Sequence, residues 1–432
     1  MGCAKNEVDT RDMEQCLASA GFCIAESLDD ADAIVVNTCS FILPAIEESI
    51  DAFFDISEAS SIRSRNVPVI VAGCMPARFG DDLEDELTEA AAFVPCSEEH
   101  RIASVVADCL GIDLYALSEG IGKAEAAQAQ SEPSGEGGPS FAYVKISDGC
   151  DRFCSYCTIP YIRGRYHSFA LEDIEAEAKR AIDSGAREIV LIGQDTGLWG
   201  SDLEGSPTLT DLIEALSERF PDTWVRAMYT QPENVTDRLL DAIASHPNAA
   251  PYLDVPFQHC NPSILSAMNR SGSAQEFLSL VAKAREKVPG IAIRTTLMAG
   301  FPGETEDDFE ELVRFVEEAE LDYVGVFPYS REEGTAAFDL PGQLDDDERT
   351  YRAERLRTVA DAVSSAVISS RVGKRYPVLA EGAEEDGQVF GRAIVQAPEV
   401  DGITYIDGMC PGQVSEMTVE DTMMYDMEAS LS

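Results

Sequence analysis

The amino-acid sequence predicts an α/β protein made of three parts: a parallel α/β N-terminal domain over 1–113, an open, partial (β/α)6 barrel over 136–370, and a small all-β, OB-like barrel over 371–432. Two successive alternations of apolar strands with amphipathic helices predict the first two parts. Short strands and turns that follow a long helix predict the third. Residues 114–135 are small, polar and rich in Gly, Ala and Ser, which is typical of a linker.

The first alternation contains three apolar runs, AIVVNTC (33–39), VPVIVAGC (67–74) and the weaker AAFVPCS (91–97), with helical stretches between them. Parallel strands need crossover connections, which are usually helices, so this order predicts a parallel sheet covered by helices. The second alternation has too few strands to close an eight-stranded barrel. We therefore expect an open barrel with its active face at the carboxyl ends of six strands, 141–147, 188–193, 224–229, 252–257, 291–300 and 323–329.

Charge and composition narrow the classes of function. The 432 residues include 32 Lys and Arg against 79 Asp and Glu, a formal net charge of −47. Such a field repels nucleic acid phosphates and attracts basic partners, although acidity spread along a whole chain also serves simply to solvate a surface. The chain has no apolar run of about 18 residues and no secretory signal, so we expect a cytoplasmic protein without a membrane span.

The twelve cysteines are many for a cytoplasmic protein, where metal binding or catalysis is a better interpretation than disulfides. The motif GCDRFCSYC holds Cys150, Cys154 and Cys157, here called the loop cysteines, after the first strand of the predicted barrel. Three thiolates on one loop can hold a [4Fe–4S] cluster and leave one iron open. A structural zinc site is the alternative, but it needs four ligands and no fourth is evident nearby.

Three further cysteines, Cys3, Cys39 and Cys74, are here called the edge cysteines. Cys39 and Cys74 end two strands of the predicted N-terminal sheet, and ligands gather at the carboxyl ends of parallel strands. Cys3 is followed by a helix like the other two, so we expect all three thiols at one edge, around a second open-iron cluster. The alternative is three buried cysteines that pack as small apolar side chains. Cys96 and then Cys260 are the next candidate ligands.

Cys3 is preceded only by Met1 and Gly2, which are too short to form the strand that this arrangement predicts. We therefore expect that Met1 is not the natural start of the protein. We also expect the chain as written to bind its first cluster poorly, because an unpaired terminus frays.

The C-x₃-C-x₂-C spacing of the loop cysteines resembles that of the radical S-adenosylmethionine superfamily. The resemblance implies that the open iron binds the amino and carboxylate groups of S-adenosylmethionine, and that reductive cleavage yields a 5′-deoxyadenosyl radical. It also implies that Tyr156 lies beside the adenine and that Gln194 and Asp195 meet the methionine end. A core or turn role is the alternative for these three residues.

With both groups of cysteines placed, the whole chain from Gly2 onward resembles the methylthiotransferase family, which has an N-terminal cluster domain, a radical core and a C-terminal TRAM barrel. The motifs GCAKNEVDT, CTIPYIRGRYHS and IGQDTGLWGSD resemble those of the branch that modifies an aspartate of ribosomal protein twelve of the small subunit. YLDVPFQHCNPSILSAMNR and RTTLMAGFPGETEDDFEEL are shared more broadly. Ala4 in place of proline and Trp199 in place of tyrosine depart from the motifs, and neither is a predicted ligand.

This resemblance implies two [4Fe–4S] clusters and two molecules of S-adenosylmethionine per reaction. The cluster on the edge cysteines carries a sulfur that is methylated, and the cluster on the loop cysteines cleaves the second cofactor molecule. The adenosyl radical takes a hydrogen from the β-carbon of the target aspartate, and the methylthio group joins that carbon. The implied partners are a basic small-subunit ribosomal protein, free or on the ribosome, and an electron donor such as flavodoxin.

Two other functions stay open at this point: methylthiolation of adenosine in tRNA, and nucleic-acid binding by a TRAM protein whose clusters are structural. From Gly373 onward the chain has three basic residues against twelve acidic ones, a net charge of −9. Phosphate contacts need Lys and Arg, so this balance disfavours tRNA as a partner.

Overall fold

The computed structural model describes residues 2–114 and 140–431. The predicted linker, 114–135, lies outside the described residues from residue 115 onward. The chain divides into two compact units. The first comprises Met1–Ser134, Gly149–Asp151 and Cys157–Tyr166, and the second comprises Gly135–Asp148, Arg152–Tyr156 and His167–Ser432.

The first unit is built on a parallel sheet of three strands, as predicted. The strands are β1 (Ile34–Thr38), β2 (Val69–Gly73) and β3 (Ala92–Pro95), paired in that order. The helices are α1 (Ala4–Ser19), α2 (Leu43–Glu58), α3 (Ser60–Arg65), α4 (Cys74–Phe79), α5 (Asp81–Glu86), α6 (Ile102–Leu110) and α7 (Ile159–Ile162), with a 3-10 turn at Cys96–Arg101.

The central strand β2 is buried at every position, because helices cover both faces of the sheet. Successive side chains of a strand point to opposite faces. Val71 accordingly packs with Phe53 of α2, whereas Ile70 packs with Met13 of α1 and Val106 of α6. The two apolar layers hold the sheet in place, so the ends of its strands form a defined edge.

The second unit contains the predicted open, partial barrel. Its six parallel strands fall within the six predicted runs, and they form two sets of three that are joined by a bridge between Val225 and Ala249. The strands, with a short hairpin that the sequence did not predict (β5 and β6), are β4 (Phe141–Lys145), β5 (Ser147–Asp148), β6 (His167–Ser168), β7 (Glu188–Ile192), β8 (Trp224–Ala227), β9 (Tyr252–Asp254), β10 (Ala292–Ala299) and β11 (Tyr323–Pro328).

Seven helices of the described residues cover this barrel or follow it. Thr305 caps α13: its Oγ1 accepts a hydrogen bond from Asp308 N at 3.3 Å, and the Asp308 side chain accepts one from Thr305 N at 2.9 Å. The helices are α8 (Leu171–Asp183), α9 (Leu209–Arg219), α10 (Asp237–Ser245), α11 (Pro262–Ala267), α12 (Ala274–Lys287), α13 (Glu306–Ala319) and α14 (Asp346–Ser369).

The last part of the second unit is a closed five-stranded barrel. Its strands pair in the order β12-β13-β14-β16-β15, and β16 completes the closure because it pairs with both β14 and β15. A Cβ atom at Gly391 would lie 1.9 Å from the carbonyl oxygen of Leu379, so only glycine allows this close pairing. The strands are β12 (Arg375–Ala383), β13 (Val389–Ala393), β14 (Thr404–Asp407), β15 (Val414–Met423) and β16 (Asp426–Leu431).

A buried network of charges, here called the junction network, joins the closed barrel to the partial barrel within the second unit. Glu188, the first residue of β7, contacts Arg226 Nε at 2.6 Å and Arg392 Nη2 at 2.7 Å. Arg392 also contacts Glu381 of β12 at 2.7 Å. Burial alone would raise the pKa of Glu188, but the two guanidinium groups outweigh it and hold the pKa below its usual value.

Asp401 is a second buried carboxylate at this junction. Its Oδ2 accepts hydrogen bonds from the Tyr252 hydroxyl at 2.7 Å and from Ala397 N at 2.8 Å. Burial raises the pKa of Asp401 to about 6, although Arg294 and these hydrogen bonds oppose the rise. The folded protein therefore keeps a proton on Asp401 at a pH where the unfolded chain has lost it.

We expect Asp401 to make the folded protein less stable as the pH rises from about 4 to about 6. Its contribution is fully present below the ordinary pKa of 3.8 and is lost as the pH passes about 6. The loss is about 2–3 kcal/mol at most. Asp401→Asn cannot titrate, so its thermal unfolding midpoint relative to wild type should rise across this pH range. Parallel curves for the two proteins would contradict the assignment.

Candidate active site

The first unit places three cysteines at the carboxyl edge of neighbouring strands. Cys39 directly follows β1, Cys74 directly follows β2 as the first residue of α4, and Cys96 directly follows β3. The pairing of Thr38 with Gly73 brings the first two positions together at this edge, as expected from the sequence. Cys260, the other candidate ligand, is fully buried in the apolar core of the second unit, which is a core position.

Cys3 is placed at the first unit's sheet edge by the helix that follows it. It is the residue that precedes α1, and the first turn of that helix is bonded to the end of β1. Asn6 Nδ2 donates to Thr38 O at 3.3 Å, and Asn37 Nδ2 donates to Asn6 O at 3.0 Å. Gly2 has φ of +107°, and a Cβ atom there would lie 2.6 Å from Asn6 Nδ2. Side-chain amides thus tie the start of α1 to the end of β1, which opposes the fraying expected next to Cys3.

The edge cysteines are close enough to act on one another electrostatically. Burial and the nearby thiols of Cys74 and Cys3 together raise the pKa of Cys39 to about 11, although a backbone hydrogen bond from Phe41 opposes the rise. Cys74 differs, because a hydrogen bond with Cys96 and the Arg163 guanidinium lower its pKa to about 7. Of Cys39 and Cys74, Cys74 is therefore the thiol that ionises more readily, as a metal ligand must.

Arg163 and Cys96 are neighbours of Cys74; the sequence singled out Cys96 as the next candidate ligand but did not single out Arg163. Arg163 Nη2 lies 3.8 Å from Cys74 Sγ and 2.5 Å from Asp9 Oδ2. Cys96 Sγ donates to Gly73 O at 3.5 Å, and its hydrogen bond with Cys74 raises the pKa of Cys96. No local pattern reveals either contact, because both join segments that are distant in the chain.

The loop cysteines lie between β5 and α7, where two kinds of contact hold the backbone. In the first unit, Cys150 N donates to Gly164 O at 3.2 Å. Gly149 has φ of +72°, and a Cβ atom there would lie 2.2 Å from Arg165 O, so this close approach requires glycine. The start of the loop is therefore fixed against the segment that follows Cys157.

Within the second unit, the turn after α11 holds the middle of the loop. Ser155 N donates to Met268 O at 3.0 Å, and Asn269 Nδ2 donates to Arg152 O at 3.0 Å and to Phe153 O at 3.1 Å. This turn also carries Arg270, which the sequence did not single out.

Arg270 is a cation beside one of the loop cysteines. Burial alone would lower its pKa, but Tyr156 and Cys154 outweigh this effect, the latter also through a hydrogen bond, so the pKa of Arg270 is raised. The sequence-predicted loop cysteine Cys154 thus has a buried positive charge as its neighbour.

Buried polar atoms without a partner gather at the carboxyl ends of three neighbouring strands. Among the described residues, Gln194 Oε1 and Asp195 Oδ1 after β7 lack a hydrogen-bond partner, and so do atoms after β4 and β8: Ser147 Oγ, Gln231 Oε1 and Asn234 Nδ2. An unpaired buried polar group costs about 1–3 kcal/mol, so this set fits a polar ligand. Two of the five residues, Gln194 and Asp195, were predicted as cofactor contacts, and the other three were not.

The predicted cofactor residues are held differently. Arg152 Nε is bonded to Asp195 Oδ2, and burial nevertheless raises the pKa of Asp195. Tyr156 is half-buried and packs against the apolar core of the second unit. Their roles toward S-adenosylmethionine stay predictions.

The loop group offers three thiols, and the edge group offers three with Cys96 as a fourth thiol beside Cys74; each group has a guanidinium nearby. In the described ranges no three His, Cys, Asp or Glu side chains are gathered around the position of a single metal ion. Four irons and four sulfides separate their cysteine ligands more widely than one ion does. Three thiols on the loop fit a [4Fe–4S] cluster with one open iron better than they fit structural zinc, which needs four ligands.

Comparison with protein families agrees with this architecture. Residues 144–316 match the radical SAM superfamily, residues 372–431 match the TRAM domain, and residues 1–95 match the uncharacterized protein family UPF0004. Fold and site therefore define a radical S-adenosylmethionine enzyme that carries a TRAM barrel. Membership of this superfamily implies S-adenosylmethionine and a [4Fe–4S] cluster as cofactors.

Full-length relatives narrow the class further. The chain is 36% identical over 431 residues to ribosomal protein uS12 methylthiotransferase RimO of Clostridioides difficile strain 630, with 99% of this chain and 96% of the relative covered. It is 39% identical over 435 residues to the RimO of Pelotomaculum thermopropionicum, with 99% and 97% covered. The chain belongs to the RimO family of methylthiotransferases.

Among solved structures, the radical S-adenosylmethionine methyltransferase TsrM from Kitasatospora setae shares the fold. The structure with tryptophan and a cofactor analogue matches with a TM-score of 0.51 and 16% identity, over 75% of this chain and 67% of that chain. At this identity the likeness concerns the fold alone. No helix in the described part of the chain is long and apolar enough to cross a membrane.

Proposed function

We propose that this protein attaches a methylthio group to the β-carbon of an aspartate of ribosomal protein uS12, using two [4Fe–4S] clusters and two molecules of S-adenosylmethionine. The observation that carries the proposal is the similarity to RimO enzymes over nearly the whole chain, which contains two separate groups of three cysteines. When bound, the cluster on the loop cysteines would support reductive cleavage of S-adenosylmethionine, and the cluster on the edge cysteines would supply the methylthio group.

The edge cysteines hold the first cluster in this proposal. The thiol of Cys74 gives up its proton near neutral pH, whereas Cys39 must give up a proton that burial holds on its sulfur. Cys3 closes the set from the start of α1, where Asn6 ties the helix to β1. The pinned helix start thus supports the third ligand.

The loop cysteines hold the second cluster, and nearby side chains receive S-adenosylmethionine. Gln194 Oε1 and Asp195 Oδ1 are buried acceptors without a donor among the described residues. They are suited to the amino group at the methionine end of the cofactor, and Tyr156 is suited to its adenine. Arg152 holds Asp195 in place through its other carboxylate oxygen. The two acceptors gain hydrogen-bond partners only when the ligand is bound, which makes the site selective for a polar ligand.

The partners follow from charge and chemistry. A chain of net charge −47 attracts a basic ribosomal protein, free or on the ribosome, and repels tRNA. Reductive cleavage consumes one electron, for which a low-potential donor such as flavodoxin is suited. These partners place the enzyme in the cytoplasm.

Mass spectrometry tests this function. A bacterial host that lacks its own enzyme of this kind is complemented with this gene, and both its ribosomal proteins and its digested tRNA are analysed. We expect uS12 to gain the mass of one methylthio group in place of one hydrogen, on an aspartate, and tRNA to be unchanged. Methylthioadenosine in tRNA with unmodified uS12 would overturn the choice of substrate.

The turn between β12 and β13 is expected to steer the basic substrate. Glu384, Glu385 and Asp386 are exposed there, so changing all three to lysine should slow association with uS12 several-fold at low salt. The effect should fade at 0.15 M salt, where the Debye length is about 8 Å. Stopped-flow association rates provide the measurement.

A matched reversal separates this turn from the charge of the whole protein. Glu286, Glu317 and Glu318 are exposed on the helices α12 and α13, and their change to lysine alters the net charge equally. We expect a smaller effect on the association rate. Equal slowing by both variants, or none, would contradict steering by the turn.

A further inference from the structure

Arg163 is a buried cation beside an edge cysteine, and the reaction described above gives it no role. Its Nη2 atom lies 2.5 Å from Asp9 Oδ2 and 3.8 Å from Cys74 Sγ. The side chains of Arg163 and Asp9 are only 2% and 1% exposed. Buried charges persist where they are paired, so both are held beside the sulfur of Cys74.

The same stretch of chain supplies Arg163 and a loop cysteine. Arg163 directly follows α7 as its C-cap, and its backbone N donates to Ile159 O at 2.8 Å. It follows Cys157 by only six residues, yet its guanidinium reaches Cys74, which follows β2. An arginine whose only task was to hold this helix end would not need to lie against a sulfur atom.

A charge beside a ligand sulfur alters the reduction potential of an iron–sulfur cluster. Each cluster gains negative charge when it is reduced, and nearby charges and hydrogen bonds to its sulfurs set how readily this occurs. A buried guanidinium favours the reduced form, and a buried carboxylate opposes it. Arg163 and Asp9 therefore act on the same sulfur in opposite directions.

We propose that Arg163 is a positioning residue for the first cluster, which raises the reduction potential of the cluster on the edge cysteines while Asp9 limits the rise. The inference rests on the proposed function, since it requires a cluster at that site. It goes beyond that function because it assigns the charge balance of the site to one pair of residues.

The test isolates the first cluster. Cys150, Cys154 and Cys157 are changed to alanine in the full chain, so that only the edge cysteines can bind iron; this is the parent variant. Arg163→Gln, Arg163→Lys, Asp9→Asn and Arg165→Gln are then introduced separately. After anaerobic reconstitution, the iron content and the midpoint potential are measured, the potential from the electron paramagnetic resonance signal of the reduced cluster.

Arg165 provides the matched control, because it is an arginine on the same loop whose side chain is 78% exposed and pairs with Asp151. We expect Arg163→Gln to make reduction about tenfold less favourable, a fall of about 59 mV for one electron. Asp9→Asn should shift the potential upward. Arg163→Lys should fall between Arg163→Gln and the parent, and Arg165→Gln should leave the potential unchanged.

Opposite shifts for Arg163→Gln and Asp9→Asn support the proposal, since damage to the fold would move both in the same way. If Arg163→Gln loses its cluster, an upward shift in Asp9→Asn still supports the proposal, and a downward shift or none overturns it. Equal potentials in Arg163→Gln and the parent, or an equal fall in Arg165→Gln, also overturn it. A parent variant without any cluster would overturn the two-cluster function itself, and this inference with it.

Discussion

Changing Cys150, Cys154 and Cys157 together to alanine is expected to abolish cleavage of S-adenosylmethionine and to remove half of the iron. With two [4Fe–4S] clusters the wild-type protein holds roughly eight irons, and the variant should retain about four. The reason is that the loop cysteines are the sole ligands of one cluster, while the edge cysteines are untouched. Iron and sulfide analysis after anaerobic reconstitution, with chromatography of 5′-deoxyadenosine, provides the measurement.

A control for this result uses cysteines outside both groups. Cys23 and Cys410 are exposed and Cys109 is half-buried, and all three can be changed to alanine together. This variant should keep roughly eight irons and full cofactor cleavage. If the loop variant still cleaved S-adenosylmethionine, the assignment of its three ligands would be wrong.

The largest expected loss of stability comes from the junction network. In Glu188→Gln, Arg226 and Arg392 remain buried side by side without the carboxylate that lies between them. Removing one partner of a buried ion pair costs about 3–5 kcal/mol, because it leaves uncompensated charge away from water. We therefore expect a clear fall in the thermal unfolding midpoint, measured by calorimetry.

The exposed pair of Lys179 and Asp183 on α8 serves as the comparison. Their side chains are 57% and 61% exposed, so Asp183→Asn removes a salt bridge that water already screens. Its unfolding midpoint should match that of wild type. A Glu188→Gln protein as stable as Asp183→Asn would show that the junction network is not what fixes the closed barrel.

The strands of the barrel could be predicted because each one is a compact apolar run bounded by turn residues. EIVLIG at 188–193, for example, contains β7, which is buried throughout. The hairpin of β5 and β6 escaped prediction because strands of two residues have no periodicity to detect. Glu188 could be placed in a strand from the sequence, but its two arginine partners could not, since one of them is 204 positions away at Arg392.

The site could be predicted from the sequence where its residues have a characteristic type and spacing. The loop cysteines have both, and Cys39 and Cys74 stand where predicted strands end. Arg163, Arg270 and Gln231 could not be found in this way. Arginine and glutamine are common surface residues, and only folding brings these three to the candidate site. The bonds of Asn6 and Asn37, which tie the start of α1 to β1, could not be predicted either, because asparagine is also a common surface residue.

The closure of the last barrel has a consequence for biosynthesis. β16 fills the gap between β14 and β15, so the ring of strands cannot be completed until residue 431 has left the ribosome. Until the barrel is complete, Arg392 is not held against Glu188, and Glu188 has only Arg226 as its partner. Domains generally fold as they emerge during synthesis. In this chain, the final maturation of the second unit therefore waits until β16 has left the ribosome.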